Sequence, residues 1–450
     1  MVDSSTGMRV ELFGVDGVPA DPLCGASWAS TPVQQHGHLS VAGHRIVDGR
    51  GRAVSLAGLS LFWSNSGWGG DAFYNAETIR WARDDWGAQV IRAAMGVEGD
   101  GGYLEDRSNE AKVEAVVRAA VYAGVYVIID WHSHHAEDHQ AEAVDFFARM
   151  AQKFGHLPNV IYEVYNEPLG GVSWSGTVKP YAERVIDAIR EIDPDNLIIV
   201  GSPTWSQDVD VASDDPIVGR ANVAYSLHFY AETHRGSLRT KALAALQNGA
   251  PLFVTEWGTV NAWARGSVAE RSVAEWMEFL AEHKISHCNW SLNDRDEAAS
   301  ALRPGANPRG GWTSAALTAS GELVKRILQG WHVTCPPGLA SVPAAAVSWS
   351  ISPGGRIPCG GILGASEPAP ADWLASPRAS RRRASDASTP TWAFAYPSQL
   401  SPVFDAGRQQ MFAVEDHLGA VAYGMSSTGG SFVQDLGVAL RAASDLRNER

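Results

Sequence analysis

Cysteine is scarce in this 450-residue chain. Cys24, Cys288, Cys335 and Cys359 are its four, with no Cys-x-x-Cys pair and no spacing that would gather a structural zinc. A zinc ribbon and a disulfide-framed mini-domain are therefore excluded. Cys288 lies inside an apolar run and reads as a buried free thiol. Cys335 and Cys359 could pair in an oxidising compartment, but spacing fixes no connectivity and leaves Cys24 unassigned. Positive charge is also in short supply: 36 Lys and Arg stand against 50 Asp and Glu, a net charge of −14. A protein that grips a phosphate backbone needs a basic face, so no nucleic-acid partner is expected, and Arg381-Arg382-Arg383 reads as a solvated spot. No apolar run reaches the length of a membrane-spanning helix, so no membrane partner is expected either. The opening MVDSSTGMRVELFG lacks a basic segment followed by an apolar stretch, so no secretion signal is visible.

Tryptophan, by contrast, is plentiful, with 17 residues. Indoles either pack cores or offer flat faces to neutral ligands such as sugar rings, and position decides between the two. Between His38 and His332, short apolar runs alternate with longer amphipathic segments. The runs are VSLAGLS (54–60), VIRAAM (90–95), VYVIID (125–130), VIYEVYN (160–166), LIIVG (197–201), VAYSLHFY (223–230), LFVTEW (252–257) and SHCNWSL (286–292). Continuous apolar runs suit strands buried on both faces, as in parallel sheets. NAETIRWARDDW opens on an Asn cap and NEAKVEAVVRAAVYAG closes on glycine; both carry helical spacing, as does ASGELVKRILQGW (319–331). The connection SPTWSQDVDVASDDP is weaker and allows only a short helix. Eight strands alternating with helices predict a (β/α)8 TIM barrel over 38–332, with a doubly wound open sheet as the alternative. Residues 1–37 read as an irregular lead. Residues 333–450 are rich in Pro, Gly, Ala and Ser and read as a mostly disordered tail, dispensable for whatever the barrel does; Trp349, Trp373, Trp392 and Tyr396 hint at a sugar-binding module that the pattern does not otherwise support.

In such a barrel chemistry gathers at the C-terminal ends of the strands. Those ends carry Trp63, Arg92, Asp130-Trp131-His132, Asn166-Glu167, His228, Tyr230, Glu256-Trp257 and Trp290. Two glutamates facing one mouth are the equipment of glycoside hydrolysis: one protonates the leaving oxygen, the other attacks the anomeric carbon or activates water. An Arg and an Asn nearby can hold one carboxylate ionised while burial raises the other. The cluster His132-Ser133-His134-His135 with His139 raises a metal-dependent hydrolase as a rival. That rival needs further ligands from other strands, and the fifth strand ends in Gly-Ser-Pro. No metal and no cofactor is therefore expected, and His134 and His135 read as loop residues near the cleft. A non-catalytic sugar-binding barrel would lack one of the carboxylates; both are present.

The stretches SLFWSNSGWGG, WARDDWGAQVIRAAM, VIIDWHSH, PNVIYEVYNEP, LHFYAETH, LFVTEWGT and NWSLNDRDE, in this order, resemble glycoside hydrolase family 5 in its bacterial endo-1,4-β-glucanase branch. The resemblance covers about residues 38–332. It implies Glu167 as acid/base, Glu256 as nucleophile and Asn166 as the partner of the substrate 2-hydroxyl. Arg92, His132, His228 and Tyr230 match the family's inner polar shell, and Trp63, Trp205 and Trp290 its sugar contacts. Arg295 stands where relatives often carry lysine, with Glu297 beside it. The implied activity is retaining, endo-acting cleavage of β-1,4-glucan by a monomer, with mannan or xylan as alternative substrates and an extracellular place of work. Trp68, Trp81 and Trp86 read as packing residues.

Overall fold

The computed structural model describes residues 30–331 and, beyond them, the backbone of two strands, Gln410–Glu415 and Val421–Ser426. A short helix α1 (Pro32–His36) and a hairpin, β1 (Ser40–Ala42) with β2 (Arg45–Val47), precede the barrel. The barrel strands are β3 (Ala57–Leu61), β4 (Val90–Gly96), β5 (Tyr126–His132), β6 (Val160–Glu163), β7 (Leu197–Val200), β8 (Val223–Tyr230), β9 (Leu252–Gly258) and β10 (Ser286–Leu292). All pair in parallel, and β10 closes onto β3. Each predicted apolar run holds one of these strands. Helices α2 (Ala76–Asp84), α3 (Ser108–Ala123), α4 (Gln140–Phe154), α5 (Lys179–Arg190), α6 (Pro203–Ser206), α7 (Val209–Asp214), α8 (Gly236–Gln247), α9 (Glu270–His283) and α10 (Ala319–Trp331) fill the connections. The weak fifth connection is the pair of short helices α6 and α7.

Local chemistry sets the ends of these helices. The Asn75 side chain accepts the Thr78 N–H and starts α2. Gly124, at φ +70°, ends α3 in the left-handed region; a Cβ there would also meet Thr31 Oγ1 at 2.5 Å.

Side chains alternate along the lower part of the strands, with bulges near the ends of β8 and β10. On β5, Val127, Ile129 and Trp131 pack outward against the helices, whereas Tyr126 and Ile128 point inward to a cluster with Val90, Ile161, Leu197, Ile199, Phe253 and Cys288. This inner cluster is the barrel floor. Leu39 and Ile46, from the lead-in and the hairpin, pack against it from below, and Cys288 is a buried free thiol as read from sequence.

Short elements stand in both flanking regions. The last residues of the lead are ordered: Thr31 and Gln34 form a capping box on α1, Val33 N–H donates to Gly124 O at 3.1 Å, and the Tyr126 hydroxyl donates to Gly37 O at 2.7 Å. A five-residue helix and three-residue strands are too short to imprint a period, so the pattern hides them. The region after Pro402 also holds a recognisable element, since Gln410–Glu415 pairs antiparallel with Val421–Ser426. The remainder of the predicted tail, like residues 1–29, lies outside the described residues.

Candidate active site

The inward side chains above the floor are polar. On β4 the order is Val90 then Arg92, on β6 Ile161 then Glu163, and on β8 Ala224, Ser226, His228 and Tyr230. Arg92 stands fully buried at the centre of this layer. Its Nε donates to Glu163 Oε2 at 2.7 Å, its Nη1 to Glu256 Oε2 at 3.0 Å and its Nη2 to Asn166 Oδ1 at 2.6 Å. Asp130 Oδ2 lies 3.0 Å from the same Nη2. Three carboxylates thus share one guanidinium, whose planar fork can serve several partners at once.

A continuous chain of bonds joins the two glutamates. Glu256 accepts from Arg92 and, through Oε1, from the Tyr230 hydroxyl at 2.8 Å. Glu163 receives Arg92 on Oε2 and the Thr255 hydroxyl on Oε1 at 2.6 Å. Thr255 Oγ1 meets His228 Nε2 at 2.8 Å, and His228 Nδ1 meets Glu167 Oε1 at 2.9 Å. The other Glu167 oxygen pairs with His134 Nε2 at 3.0 Å. A carboxylate oxygen of Glu167, one of Glu256 and a His228 ring nitrogen all lie within 4.8 Å of one another. Gly258, just past Glu256, is required by this packing: a Cβ there would come within 2.2 Å of Tyr230 Cδ1.

Titration in this layer is collective. Burial alone would push Glu167 up, but the bonds from His134 and His228 hold it well below its ordinary value. Burial and the nearby Glu167 charge push Glu256 up, against His228, Arg92 and the Tyr230 hydroxyl. His228 pays for burial but, with Glu163 and Glu167 as partners, is raised to about 9. Burial and the Arg92 charge keep His132 neutral, well below its ordinary value; its Nδ1 meets Asp130 Oδ2 at 2.7 Å.

Around the mouth, His132 stacks flat on Trp290, with centroids 5.1 Å apart and planes at 4°. Trp63 meets His132 edge-on at 4.1 Å. Trp68 leans on Trp63 at 5.6 Å and packs, partly buried, against the cluster of Phe62 and Trp290, while Trp86 is fully buried and Trp81 packs against Trp312. Trp205 stands at φ +53°, and its backbone N–H donates at 2.8 Å to the carbonyl of Pro168, the residue after Glu167. Arg295 bonds the Trp68 carbonyl and lays its guanidinium over Phe62 at 4.9 Å, and burial raises Glu297.

Sequence reasoning missed Glu163 and Thr255, gave Asp130 no role, and placed His134 only in a loop. The signal was alternation: Glu163 is two residues past inward Ile161, and Asp130 two before His132. The His132-x-His134 metal reading does not converge, because the two rings lie 6.5 Å apart at 80° and their nitrogens engage Asp130 and Glu167.

A (β/α)8 barrel with two glutamates linked across its mouth and flanked by indoles defines a glycoside hydrolase. Residues 47–296 match the family Cellulase (glycosyl hydrolase family 5), and the chain belongs to that family. It is 54% identical over 336 residues to Endoglucanase Z of Dickeya dadantii, covering 74% of this chain and 75% of that protein. It is 46% identical over 300 residues to Endoglucanase N of Pectobacterium atrosepticum, covering 66% of each. Among solved structures, one from Cytophaga hutchinsonii is 50% identical with a TM-score of 0.65, covering 67% of this chain and 97% of that one. The catalytic domain of Thermobifida fusca endoglucanase Cel5A is 32% identical with a TM-score of 0.63, covering 67% of this chain and all of that one; a variant of it was solved with cellotetraose.

Proposed function

We infer that this enzyme is an endo-1,4-β-glucanase that cleaves with retention of configuration. The observation that carries this reading is the approach of Glu167 and Glu256 oxygens to within 4.8 Å, which suits a direct attack and falls short of the roughly 6.5–9.5 Å separation that accommodates an activated water in inverting enzymes. Glu256, oriented by Arg92 and the Tyr230 hydroxyl, attacks the anomeric carbon as Glu167 protonates the departing oxygen. The glycosyl ester on Glu256 is then hydrolysed: Glu167 takes a proton from water, whose oxygen adds to the anomeric carbon and frees Glu256. Glu167, with 13% of its side chain exposed against 6% for Glu256, is the more open of the two, as proton exchange with water requires.

In the free molecule the carboxyl directions run opposite to these roles, since Glu167 is held down and Glu256 up. The proton needed for the first step resides on His228, one hydrogen bond from Glu167, and crosses that bond as the glycosidic oxygen is protonated. Neutralisation of Glu256 in the ester removes a charge beside Glu167 and leaves it ready to act as base. Asn166 Nδ2 is buried without a protein partner and suits a sugar hydroxyl. Trp63 and Trp290 supply faces for β-linked glucosyl units.

The substrate is an unbranched β-1,4-glucan, bound without a cofactor, and a polymer of that kind is met outside the cell. Activity confined to the cytosolic fraction of source cells would contradict that location. Among the described residues no helix is long and apolar enough to cross a membrane. The deciding experiment compares initial rates on carboxymethylcellulose, mannan and xylan, with NMR of the first-formed anomer. Fastest turnover of the cellulose derivative with a β-anomer product is expected. An α-anomer would overturn retention, and a preference for mannan or xylan would overturn the substrate.

A further inference from the structure

We propose that His134 is a positioning residue for the proton-transferring carboxyl of Glu167, braced in place by Trp63. The proposal rests on the reading of Glu167 as acid/base. His134 lies two residues past β5, buried, and its Nε2–H donates to Glu167 Oε2 at 3.0 Å. The Trp63 indole lies almost parallel to its ring, with centroids 5.7 Å apart and planes at 11°. Behind the ring the backbone is pinned: the Tyr165 hydroxyl, shared with the Glu137 carboxylate, lies 3.0 Å from His134 O, and the Glu167 N–H donates to Ser133 O at 3.3 Å. Ser133 Oγ in turn bonds Glu98 and accepts the His135 N–H at 3.0 Å. The imidazole is therefore clamped between an indole, a carboxylate and a fixed loop.

The need for such a clamp is physical. The terminal torsion of a glutamate is broad and roughly two-fold, so a carboxyl with one bonded oxygen can turn its other oxygen out of line. With His228 on Oε1 and His134 on Oε2, that freedom is gone. His134 keeps Oε2 occupied, so Oε1, beside His228, is the oxygen that accepts and returns the proton. The groups facing His134 are Glu167, neutral His132 with its ring 6.5 Å away, and His228 across the carboxyl. Glu98 and Glu137, behind the loop, are engaged by Ser133 and Tyr165, with His139 at 3.8 Å from Glu98. Arg92 and Glu256 lie on the far side of Glu167's partner His228 in the bond chain.

The test uses the full chain and two aryl β-cellobiosides, one with a dinitrophenolate leaving group that departs unprotonated and one with a phenolate that needs a proton. His134→Phe keeps a ring against Trp63 but has no donor; His134→Gln keeps a donor without the ring. His134→Phe should lose roughly tenfold or more in kcat/KM on the phenyl substrate but less than about twofold on the dinitrophenyl one. The basic limb of its pH profile should move to higher pH, because the carboxylate loses a donor that favours its ionised form. His134→Gln should recover most of the loss. Glu167→Gln in the same assay should show the same split more strongly; if it shows none, the acid/base reading itself fails. If Glu167→Gln shows the split while His134→Phe, folded with an unchanged Tm, loses both activities equally or neither, the inference on His134 is overturned. Should the Phe variant not fold, the same comparison is made with His134→Ala, where equal losses likewise overturn it.

Discussion

The barrel interior has two storeys built from the same strands, and they obey different rules. In the lower one, Val90, Tyr126, Ile128, Ile161, Leu197, Ile199 and Phe253 form an apolar cluster closed by the hairpin beneath. In the upper one, a single step of two residues along each strand turns Val90 into Arg92, Ile128 into Asp130 and Ile161 into Glu163. Below, each contact is weak and separable, and a lost methylene is felt only locally. Above, one guanidinium serves Asp130, Glu163 and Glu256, so no member can be removed without stranding a charge. The lower storey gives the rigidity against which the upper one holds its geometry.

The largest break in this contrast comes at the open edge of the upper storey. Glu256→Gln keeps shape and the Tyr230 and Arg92 contacts in part, but cannot form the glycosyl ester. Turnover of soluble cellulose derivative should fall about a thousandfold or more, while calorimetry still detects cello-oligosaccharide binding. Retention of full turnover would move the nucleophile elsewhere.

Next in size is Glu163→Ala. It leaves Arg92 Nε and the Thr255 hydroxyl buried without their acceptor. Breaking a buried pair by removing one partner costs about 3–5 kcal/mol, readable by urea unfolding, and activity should fall with it because Arg92 and His228 lose their anchor. A change below about 1 kcal/mol, the scale of an exposed ion pair, would mean that the layer is not one unit.

Why the barrel was legible and this layer was not follows from the same alternation. Strands buried on both faces leave continuous apolar runs, so all eight could be read without knowing which residues point inward. Glu167, Glu256, His228 and Arg92 were readable because each stands at a run's end or carries a motif. Glu163 sits inside VIYEVYN, where inward and outward positions are both mostly apolar, so its inward aim shows only once Ile161 is known to face the barrel interior. His134 escaped for another reason: its bond to Glu167 spans two loops, and loop conformation is not written in periodicity. The hairpin at 40–47 fell below the length at which any period shows.

A pH scan separates the storeys more gently. The folded state raises His228 from 6.5 to about 9, so its contribution to stability is fully present below about 6.5 and is lost as pH rises through about 9. Glu167 belongs to the same pair; being lowered, it contributes above 4.5 and loses that contribution as pH falls. Unfolding free energy should therefore decline between pH 6.5 and 9, and His228→Gln should flatten that slope. An unchanged slope in the variant would place the proton elsewhere.

The smallest expected effect lies in the lower storey and sharpens the comparison by its plainness. Ile161 and Glu163 stand on one strand, two residues and about 6.6 Å apart. Ile161→Val removes one methylene from a closed apolar cluster, with no polar partner to strand. The cost should be about 0.5–1.5 kcal/mol in urea unfolding. It should be the same at pH 6 and pH 9, since no titrating group touches the change, and kcat should stay within about twofold. If this substitution instead shifted the pH profile of activity, the floor would be coupled to the charged layer, and the two storeys would have to be treated as one.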